Sequence, residues 1–401
     1  MSDTVSDTQV VTTHVRATTN GSRWLYRFPV IAATPALPPP AIEQPAAHQV
    51  SYGLVTGRAA RGTARVLVHA NGRRIASKPL AGRRFTLRVT LPRGDVTVRV
   101  TTIGRGDRRS SAHVHDVFGL PPGSHPRVVA PRLDRPLATT LTRLGRGYRG
   151  TAGYYVQSLT GGAGAAWNAK ARFPAASTLK LAIAATVLAE HSGIPPPGSR
   201  LDALLRELII PSDDAAANAL LVWLDGSTSS GAYRVNDLMR SIGLSDSVMY
   251  GGYQVTRALS IPIPRRVDDA PAFGVGKYTT ASDMTSLWRA LWLASGGIGP
   301  LSASRPGLTA ADARYLLWLT AHVRDQPKLD TFVGRDREVD VLHKAGWISA
   351  ARHDTGLVFW EGGVFVAGVM TYRSYGVSTS SDRLAGRVAA TALQRFRRIE
   401  G

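Results

Sequence analysis

Four polar residues in three short segments have the types and the order needed for acyl transfer. Ser177 and Lys180 lie in PAASTLK at the head of an apolar stretch that predicts a helix, so both side chains share one helix face. Ser212 opens SDDAAAN, and Lys344 lies in HKAGW before a predicted strand. A serine hydroxyl becomes a nucleophile when a base takes its proton, and a partly buried lysine can have a pKa low enough to serve as that base.

The alternative for Ser177 is an ordinary helix N-cap, because serine is among the residues preferred there. Two observations favour the nucleophile. Only six of the 49 Lys and Arg residues are lysine, and Lys180 alone among them has a serine three positions earlier. The start of the helix would also direct backbone N–H groups and the positive end of the helix dipole towards developing negative charge.

The composition of the 401-residue chain indicates a globular protein with two or three domains. It contains no cysteine, which excludes disulfides, thiol catalysis and cysteine metal sites. No apolar stretch approaches the ~18 residues of a membrane span, and the N-terminal sequence lacks the pattern of a secretory signal. The formal net charge of +21 favours an anionic partner, although an arginine-rich genome would explain it equally well.

Changes of pattern divide the N-terminal part into three segments. Residues 1–48 end in a Pro/Ala-rich stretch that we interpret as a linker. Residues 49–118 alternate apolar with polar or basic side chains, with Asn71 and Gly72 at a hairpin turn, and predict a basic, immunoglobulin-like β-sandwich. Residues 119–136 predict a second Pro-rich linker with few contacts across it, so that the following part should fold without residues 1 to 120. The arginines expected on the solvent face of the sandwich are Arg83, Arg84, Arg88, Arg93, Arg99, Arg105, Arg108 and Arg109.

Residues 137–401 mix long helices with a few strands. The patterns predict a hairpin over 153–168 and strands over 356–373. Strands near both ends with helices between them predict an α+β fold whose terminal segments share one sheet. Helices are expected at 177–193, 200–210, 212–225, 282–294 and 380–399.

This C-terminal part resembles the class A β-lactamase and penicillin-binding-protein superfamily of active-site serine enzymes, the DD-peptidase superfamily. The likeness lies in the ordered motifs S-x-x-K, S-D-x and K-x-G, and it extends to the context of FPAASTLKL and SDDAAAN. YTTASDM is similar to the helix start that follows the family's Ω loop. The resemblance implies a β-lactamase or transpeptidase-like domain that uses no metal and no cofactor.

The resemblance also implies a role for each residue of the site. Ser177 would be the acylated nucleophile, Lys180 its proton acceptor, and Ser212 the relay to the leaving nitrogen. The backbone N–H groups of Ser177 and Trp347 would form the oxyanion hole. Asn218 would hold the loop rather than touch substrate. The substrate-binding residues would be Asp214, Lys344, Ala345, Gly346 and Trp347, with Lys344 attracting a carboxylate.

Three departures from the family pattern make efficient deacylation of penicillins doubtful. The stretch from Ser245 to Thr279, which corresponds to the Ω loop, has no glutamate to activate a hydrolytic water. Asp214 replaces an asparagine, so a carboxylate that only accepts stands where an amide would donate. Ala345 replaces the hydroxyl residue of K-T-G. The carboxylates of the Ω-loop stretch are Asp246, Asp268 and Asp269.

Four functions remain open on the sequence alone. We expect a β-lactamase-like serine hydrolase acting on a β-lactam or a related amide or ester. The alternatives are a D-Ala-D-Ala carboxypeptidase-like or penicillin-binding protein with slow deacylation, a pseudo-enzyme that binds the cell envelope, and a nucleic-acid binder supported by charge alone. The resemblance implies an extracellular or cell-envelope location and a peptidoglycan-peptide-like or β-lactam substrate. The basic N-terminal domain would bind an anionic cell-wall polymer, and we expect no nucleic-acid partner.

Overall fold

The computed structural model describes residues 36–253, 276–325 and 327–400, together with the backbone of two N-terminal strands. These strands, β1 (Val11–Thr19) and β2 (Ser22–Val30), pair antiparallel with each other. The Ω-loop carboxylates Asp268 and Asp269 lie outside the described residues. Within the described ranges, no helix is both long and apolar enough to cross a bilayer.

Eight strands of the basic segment form two sheets around a core of their own. Val55 and Phe85 of one sheet pack in the same buried cluster as Val66 and Val98 of the other. The strands are β3 (Ala41–Gln44), β4 (Gln49–Ser51), β5 (Leu54–Arg58), β6 (Thr63–Ala70), β7 (Arg73–Pro79), β8 (Arg84–Arg88), β9 (Gly94–Gly104) and β10 (Arg109–Gly119). The sheets have the orders β3-β5-β8 and β4-β10-β9-β6-β7.

Two details of this region differ from the sequence-based interpretation. Residues 41–44, assigned to a linker, form β3 and pair with β5, because prolines that flank an edge strand do not prevent ladder pairing within it. Arg93, expected on the solvent face, is only 21% exposed and donates from Nη2 to Asp340 Oδ2 of the C-terminal domain at 2.5 Å. Alternation identified the exposed face, but it could not show which part of that face is covered by another domain.

The two-sheet region of residues 41–119 packs directly against the C-terminal domain, which corrects the expectation of few contacts across the linker. Val50, Tyr52 and Phe118 belong to the same buried cluster as the helices of the C-terminal domain. Tyr52 Oη also lies 2.9 Å from Ser295 Oγ. A Pro-rich connection restricts the chain, but the apolar residues on either side of it decide whether two surfaces bury each other.

The C-terminal domain has the predicted α+β fold, built on a six-stranded sheet of order β11-β13-β12-β18-β17-β16. Its strands are β11 (Arg132–Leu133), β12 (Thr151–Ser158), β13 (Ala163–Trp167), β14 (Phe173–Pro174), β15 (Tyr278–Thr279), β16 (Asp340–Ile348), β17 (Ala351–Trp360) and β18 (Gly363–Tyr372). Its helices are α1 (Arg135–Arg146), α2 (Lys180–His191), α3 (Arg200–Ile209), α4 (Asp214–Asp225), α5 (Thr228–Ser241), α6 (Ala281–Ser295), α7 (Pro300–Ala303), α8 (Ala310–Ala321), α9 (Asp330–Val333) and α10 (Thr379–Glu400).

The sheet joins the two ends of the domain and is covered on both faces. β12 pairs antiparallel with β18, so the predicted sharing of one sheet by terminal segments is confirmed. Helices α1 and α10 pack on one face, and α6 and the helical part pack on the other. Double coverage explains the nearly continuous apolar runs of β17 and β18. Strand β16 lies at one edge of the sheet, against the turn that carries Ser177.

Candidate active site

Ser177 lies in a 3₁₀ turn, Ala176–Leu179, that runs directly into α2. The turn begins with Ala176 at φ +47°, a left-handed conformation that residues with a side chain seldom adopt and that is concentrated at functional sites. Neither the turn nor α2 has a side-chain cap, so the N-cap alternative for Ser177 is not supported. Its side chain is half-buried, whereas that of Lys180, one helical turn later, is completely buried.

The SDD segment brings a hydroxyl and a carboxylate to the buried amine of Lys180. Asp213 is the N-cap of α4 and accepts from Ala216 N at 2.6 Å, which leaves Ser212 before the helix and Asp214 in its first turn. Lys180 Nζ donates to Asp214 Oδ1 at 2.5 Å and to the Ser212 carbonyl, and it lies 3.5 Å from Ser212 Oγ. The first two predicted motifs therefore meet at one amine.

Lys344 approaches the same hydroxyl from β16. Its Nζ donates to Ser212 Oγ at 2.8 Å and to the Ala345 carbonyl at 3.0 Å, and it lies 3.5 Å from Asp325 Oδ2. The side chain is completely buried. Ser212 Oγ consequently lies between two lysine amines, which is the arrangement needed to pass a proton through a hydroxyl.

Gly346 allows β16 to approach the nucleophile closely. A Cβ at this position would lie only 2.8 Å from the backbone N of both Ser177 and Thr178, so a side chain there would force the strand or the turn to move. The neighbouring Ala345 is buried, and the side chain of Trp347 is 60% exposed at the end of the strand. The structure thus brings the third motif beside the turn that carries Ser177.

Tyr253 and Lys277, which no sequence motif identified, complete this site, and Asn218 holds Tyr253 in place. The side chain of Asn218 accepts from Tyr253 N at 2.7 Å and donates to Tyr253 O at 2.9 Å, which fixes the start of the Ω-loop stretch. Tyr253 Oη donates to the Ala176 carbonyl at 3.2 Å. The centroid of its ring lies 4.8 Å from Lys180 Nζ and 4.4 Å from Lys277 Nζ. Lysine is scarce in this chain, and Lys277 directly precedes the YTT segment. These two features of the sequence were a signal for the Lys277 amine.

Burial lowers the pKa of all three amines below that of an ordinary lysine. Desolvation lowers the pKa of Lys344 to about 8, although the Asp325 carboxylate opposes the change. Desolvation also lowers the pKa of Lys180, against the opposing hydrogen bond and charge of Asp214. The pKa of Lys277 is lowered by desolvation and further by the charge of Lys180. A lowered pKa increases the share of an amine that is neutral and able to accept a proton at a given pH.

Asp246 is the Ω-loop carboxylate that falls within the described residues. It is buried, and its Oδ1 accepts from Arg172 Nη2 at 2.9 Å. Its backbone N–H donates to Asp283 Oδ2 at 2.9 Å. Asp246 therefore holds the base of the loop against the body of the domain.

The architecture matches a known family. The family model described as the beta-lactamase enzyme family covers residues 136–193 and 189–396, which is more than half of the chain. The chain belongs to this family. It is a β-lactamase-like serine hydrolase, as the order of the three motifs predicted. None of the curated proteins matches it.

Solved structures with similar folds cover the C-terminal domain of the hydrolase. PBP-A is 19% identical, with a TM-score of 0.54, over 68% of this chain and 100% of its own. An ancestral (GNCA) class A β-lactamase is 20% identical, with a TM-score of 0.51, over 65% of this chain and 100% of its own. The class A β-lactamase from Mycobacterium abscessus is 18% identical, with a TM-score of 0.51, over 65% of this chain and 99% of its own. At these identities the likeness concerns the fold.

Proposed function

We propose that the hydrolase forms an acyl-enzyme on Ser177 with a β-lactam or a related amide or ester. The observation that carries the proposal is the position of Ser212 Oγ, 2.8 Å from Lys344 Nζ and 3.5 Å from Lys180 Nζ. A mutant of PBP-A, similar to this chain with a TM-score of 0.53, was solved as an acyl-enzyme complex with penicillin G. The same chemistry on this chain would use groups that the fold places side by side.

The amines and hydroxyls of the site provide a path for each proton that moves during the proposed acylation. Neutral Lys180 takes the Ser177 proton as Oγ attacks the carbonyl carbon, and the backbone N–H groups of Ser177 and Trp347 stabilise the oxyanion. As the C–N bond breaks, Ser212 gives its proton to the leaving nitrogen and recovers one from Lys180. Charged Lys344 attracts the carboxylate of the substrate and holds the Ser212 hydroxyl in place.

A second candidate, a carboxypeptidase-like or penicillin-binding protein with slow deacylation, is favoured by the contacts of Asp246, the Ω-loop carboxylate that the structure describes. Asp246 is committed to Arg172, and the residue that Asn218 holds at the loop start is Tyr253, which carries no carboxylate. Asp214, the carboxylate nearest Lys180, accepts from its amine at 2.5 Å. General-base assistance contributes about 10² to 10⁴-fold, so an acyl-enzyme without it would persist.

Intact-mass spectrometry after exposure to penicillin G tests both candidates. The wild-type protein should gain the mass of one penicillin, and Ser177→Ala should gain none. Ser241→Ala, which alters an exposed serine at the end of α5, is the matched control and should acylate normally. An adduct that lasts for many minutes identifies slow deacylation, whereas rapid turnover of penicillin identifies an efficient β-lactamase. Absence of both an adduct and turnover would refute the proposed reaction.

For the N-terminal part, we propose an immunoglobulin-like module that binds an anionic cell-wall polymer outside the cell membrane. Residues 41–119 contain fourteen Lys or Arg residues and four Asp or Glu residues. The arginines of β7 and β8 are exposed, as Arg73, Arg74, Arg84 and Arg88 show. Such a surface attracts polyanions in a salt-dependent way. With β3 included, the proposed module begins at residue 41 rather than 49, and residues 119–136 connect it to the catalytic domain.

Retention on an immobilised polyphosphate measures this attraction. Changing the four exposed arginines of β7 and β8 to glutamine should release the protein at a clearly lower salt concentration. Replacing four arginines of the catalytic domain gives a control with the same net charge. Equal loss of retention in both variants would mean that total charge, and not the sandwich surface, binds the polymer.

A further inference from the structure

Lys277 is a half-buried lysine whose amine none of the steps above uses. Its backbone carbonyl accepts from Ala175 N at 2.9 Å, two residues before Ser177, so it lies beside the nucleophile turn. Its Nζ donates to the Gly252 carbonyl at 2.8 Å and lies 4.4 Å from the centre of the Tyr253 ring. A carbonyl and an aromatic face both favour the charged form of an amine.

Lys277 and Lys180 share the ring of Tyr253. Because the two Nζ atoms lie 4.4 Å and 4.8 Å from one ring centroid, they are at most about 9 Å apart. Lys180 is completely buried and Lys277 is half-buried, and charges in such surroundings interact with an effective dielectric constant of roughly 20. At this separation a second ammonium changes the ratio of neutral to charged lysine by about tenfold.

We propose that Lys277 is a positioning residue whose ammonium charge favours the neutral, proton-accepting form of Lys180. The proposal rests on the role of Lys180 as the base in the proposed function. It adds a third amine to a site in which the sequence motifs identify two, Lys180 and Lys344. Lys277 does not exchange protons with the substrate in this scheme.

The charges around Lys180 explain why a compensating ammonium is useful. The first turn of α4 provides Asp214, in direct contact with Lys180 Nζ, and Asp213 just before it. Carboxylates next to the amine favour its charged form and would leave little neutral base. The ammonium of Lys277 opposes them. Among the residues that the structure describes, the titratable and charged groups that face Lys180 from the packed elements are Asp213, Asp214, Asp325, Lys344, Lys277 and Tyr253.

The titration of Lys180 can be observed directly, because the chain has only six lysines. In protein labelled with ¹³C-lysine, each side-chain signal is assigned by one Lys→Met variant and followed by NMR as a function of pH. In Lys277→Met the proton affinity of Lys180 should rise about tenfold. It should stay unchanged in Lys277→Arg, which keeps the charge, and in Lys170→Met, which removes an exposed ammonium. An unchanged titration of Lys180 in folded Lys277→Met would overturn the proposal.

A reciprocal measurement covers the case in which Lys277→Met does not fold. Coupling between two sites is mutual, so Lys180→Met should raise the proton affinity of Lys277 by the same factor. No change there would equally overturn the proposal.

Acylation provides the kinetic readout and separates this proposal from the one on which it rests. Lys277→Met should acylate about tenfold more slowly at pH 7 and recover the wild-type rate at high pH, whereas a merely structural loss would not recover. If wild-type protein never acylates, the proposed function fails, and the NMR titration still decides the coupling between the two lysines.

Discussion

Gly346→Ala tests whether the edge strand β16 positions the nucleophile. A Cβ at residue 346 would lie 2.8 Å from the backbone N of Ser177 and of Thr178, and 3.0 Å from Thr178 Cγ2. Ordinary contacts of this kind begin at 3.4 Å, so the strand or the turn must move by about 0.6 Å. The obstructing atoms belong mainly to backbone amides, which cannot rotate out of the way.

The displacement falls on reacting groups, because one of the obstructing amides is the Ser177 N–H of the proposed oxyanion hole. A misplacement that approaches 1 Å costs about 10²-fold in rate. An extra methyl group in a packed site costs about 1–3 kcal/mol of the free energy of unfolding. We therefore expect Gly346→Ala to remain folded and to be acylated by a fluorescent penicillin about 10²-fold more slowly, as followed by gel fluorescence over time.

Gly368→Ala in β18 is the matched control. A Cβ there would lie 2.8 Å from Thr285 Cγ2, a side-chain atom of α6, so the crowding is similar but does not involve the nucleophile turn. Urea unfolding should show a comparable loss of stability in both variants, with acylation slowed only in Gly346→Ala. Wild-type acylation by folded Gly346→Ala, or equal slowing in Gly368→Ala, would refute the reasoning.

Three further perturbations have defined outcomes. Asp214→Asn removes the carboxylate that favours the charged form of Lys180, so the pH at which the acylation rate rises should fall by about one unit. An unchanged pH profile of the acylation rate would show that Asp214 does not control the base. Burial lowers the pKa of His353 to about 4 from 6.5. Between pH 6.5 and pH 4 the unfolded chain therefore binds a proton that the folded chain does not, and the free energy of unfolding falls as the pH drops through this range. Between pH 7 and pH 4, wild type should lose about 3 kcal/mol more than His353→Gln in urea unfolding, and equal losses would contradict this. Removal of residues 1–120 exposes the surface that covers Tyr52, so the remaining domain should aggregate on size-exclusion chromatography rather than elute as a folded monomer.

Features set by neighbouring residues could be predicted from the sequence. Ser177 and Lys180 share a face because they are three residues apart at a helix start, and Asn71 and Gly72 both adopt the positive φ of a tight hairpin turn. The buried helix α8 was missed, because a helix that is apolar on almost every side has little periodic contrast. Helix α5 was missed because TSSGAYRVND is poor in strong helix formers.

Contacts between distant segments could not be predicted. Asn218 binds the backbone of a residue 35 positions away, and Arg93 pairs with a carboxylate 247 positions away. Periodicity reports which side of an element is buried and not what covers it. The position of Lys277 beside Lys180 depends on the path of the Ω-loop stretch, which tertiary packing determines. For the same reason, the sequence identified the residues of each motif but not Lys277, whose amine lies near that of Lys180.

The pairing of β12 with β18 also sets the time at which activity can arise during synthesis. Ser158 of β12 lies opposite Phe365 of β18. Strand β12, in the middle of the sheet, therefore cannot complete its pairing until a segment about 200 residues further along the chain has been synthesised. At ribosomal rates of about 5–20 residues per second, the delay is about 10 to 40 s. For most of that interval the nascent chain carries Ser177 without Lys344, and the sheet is incomplete. The edge strand that carries Lys344 therefore joins a complete sheet only after most of the chain has been synthesised.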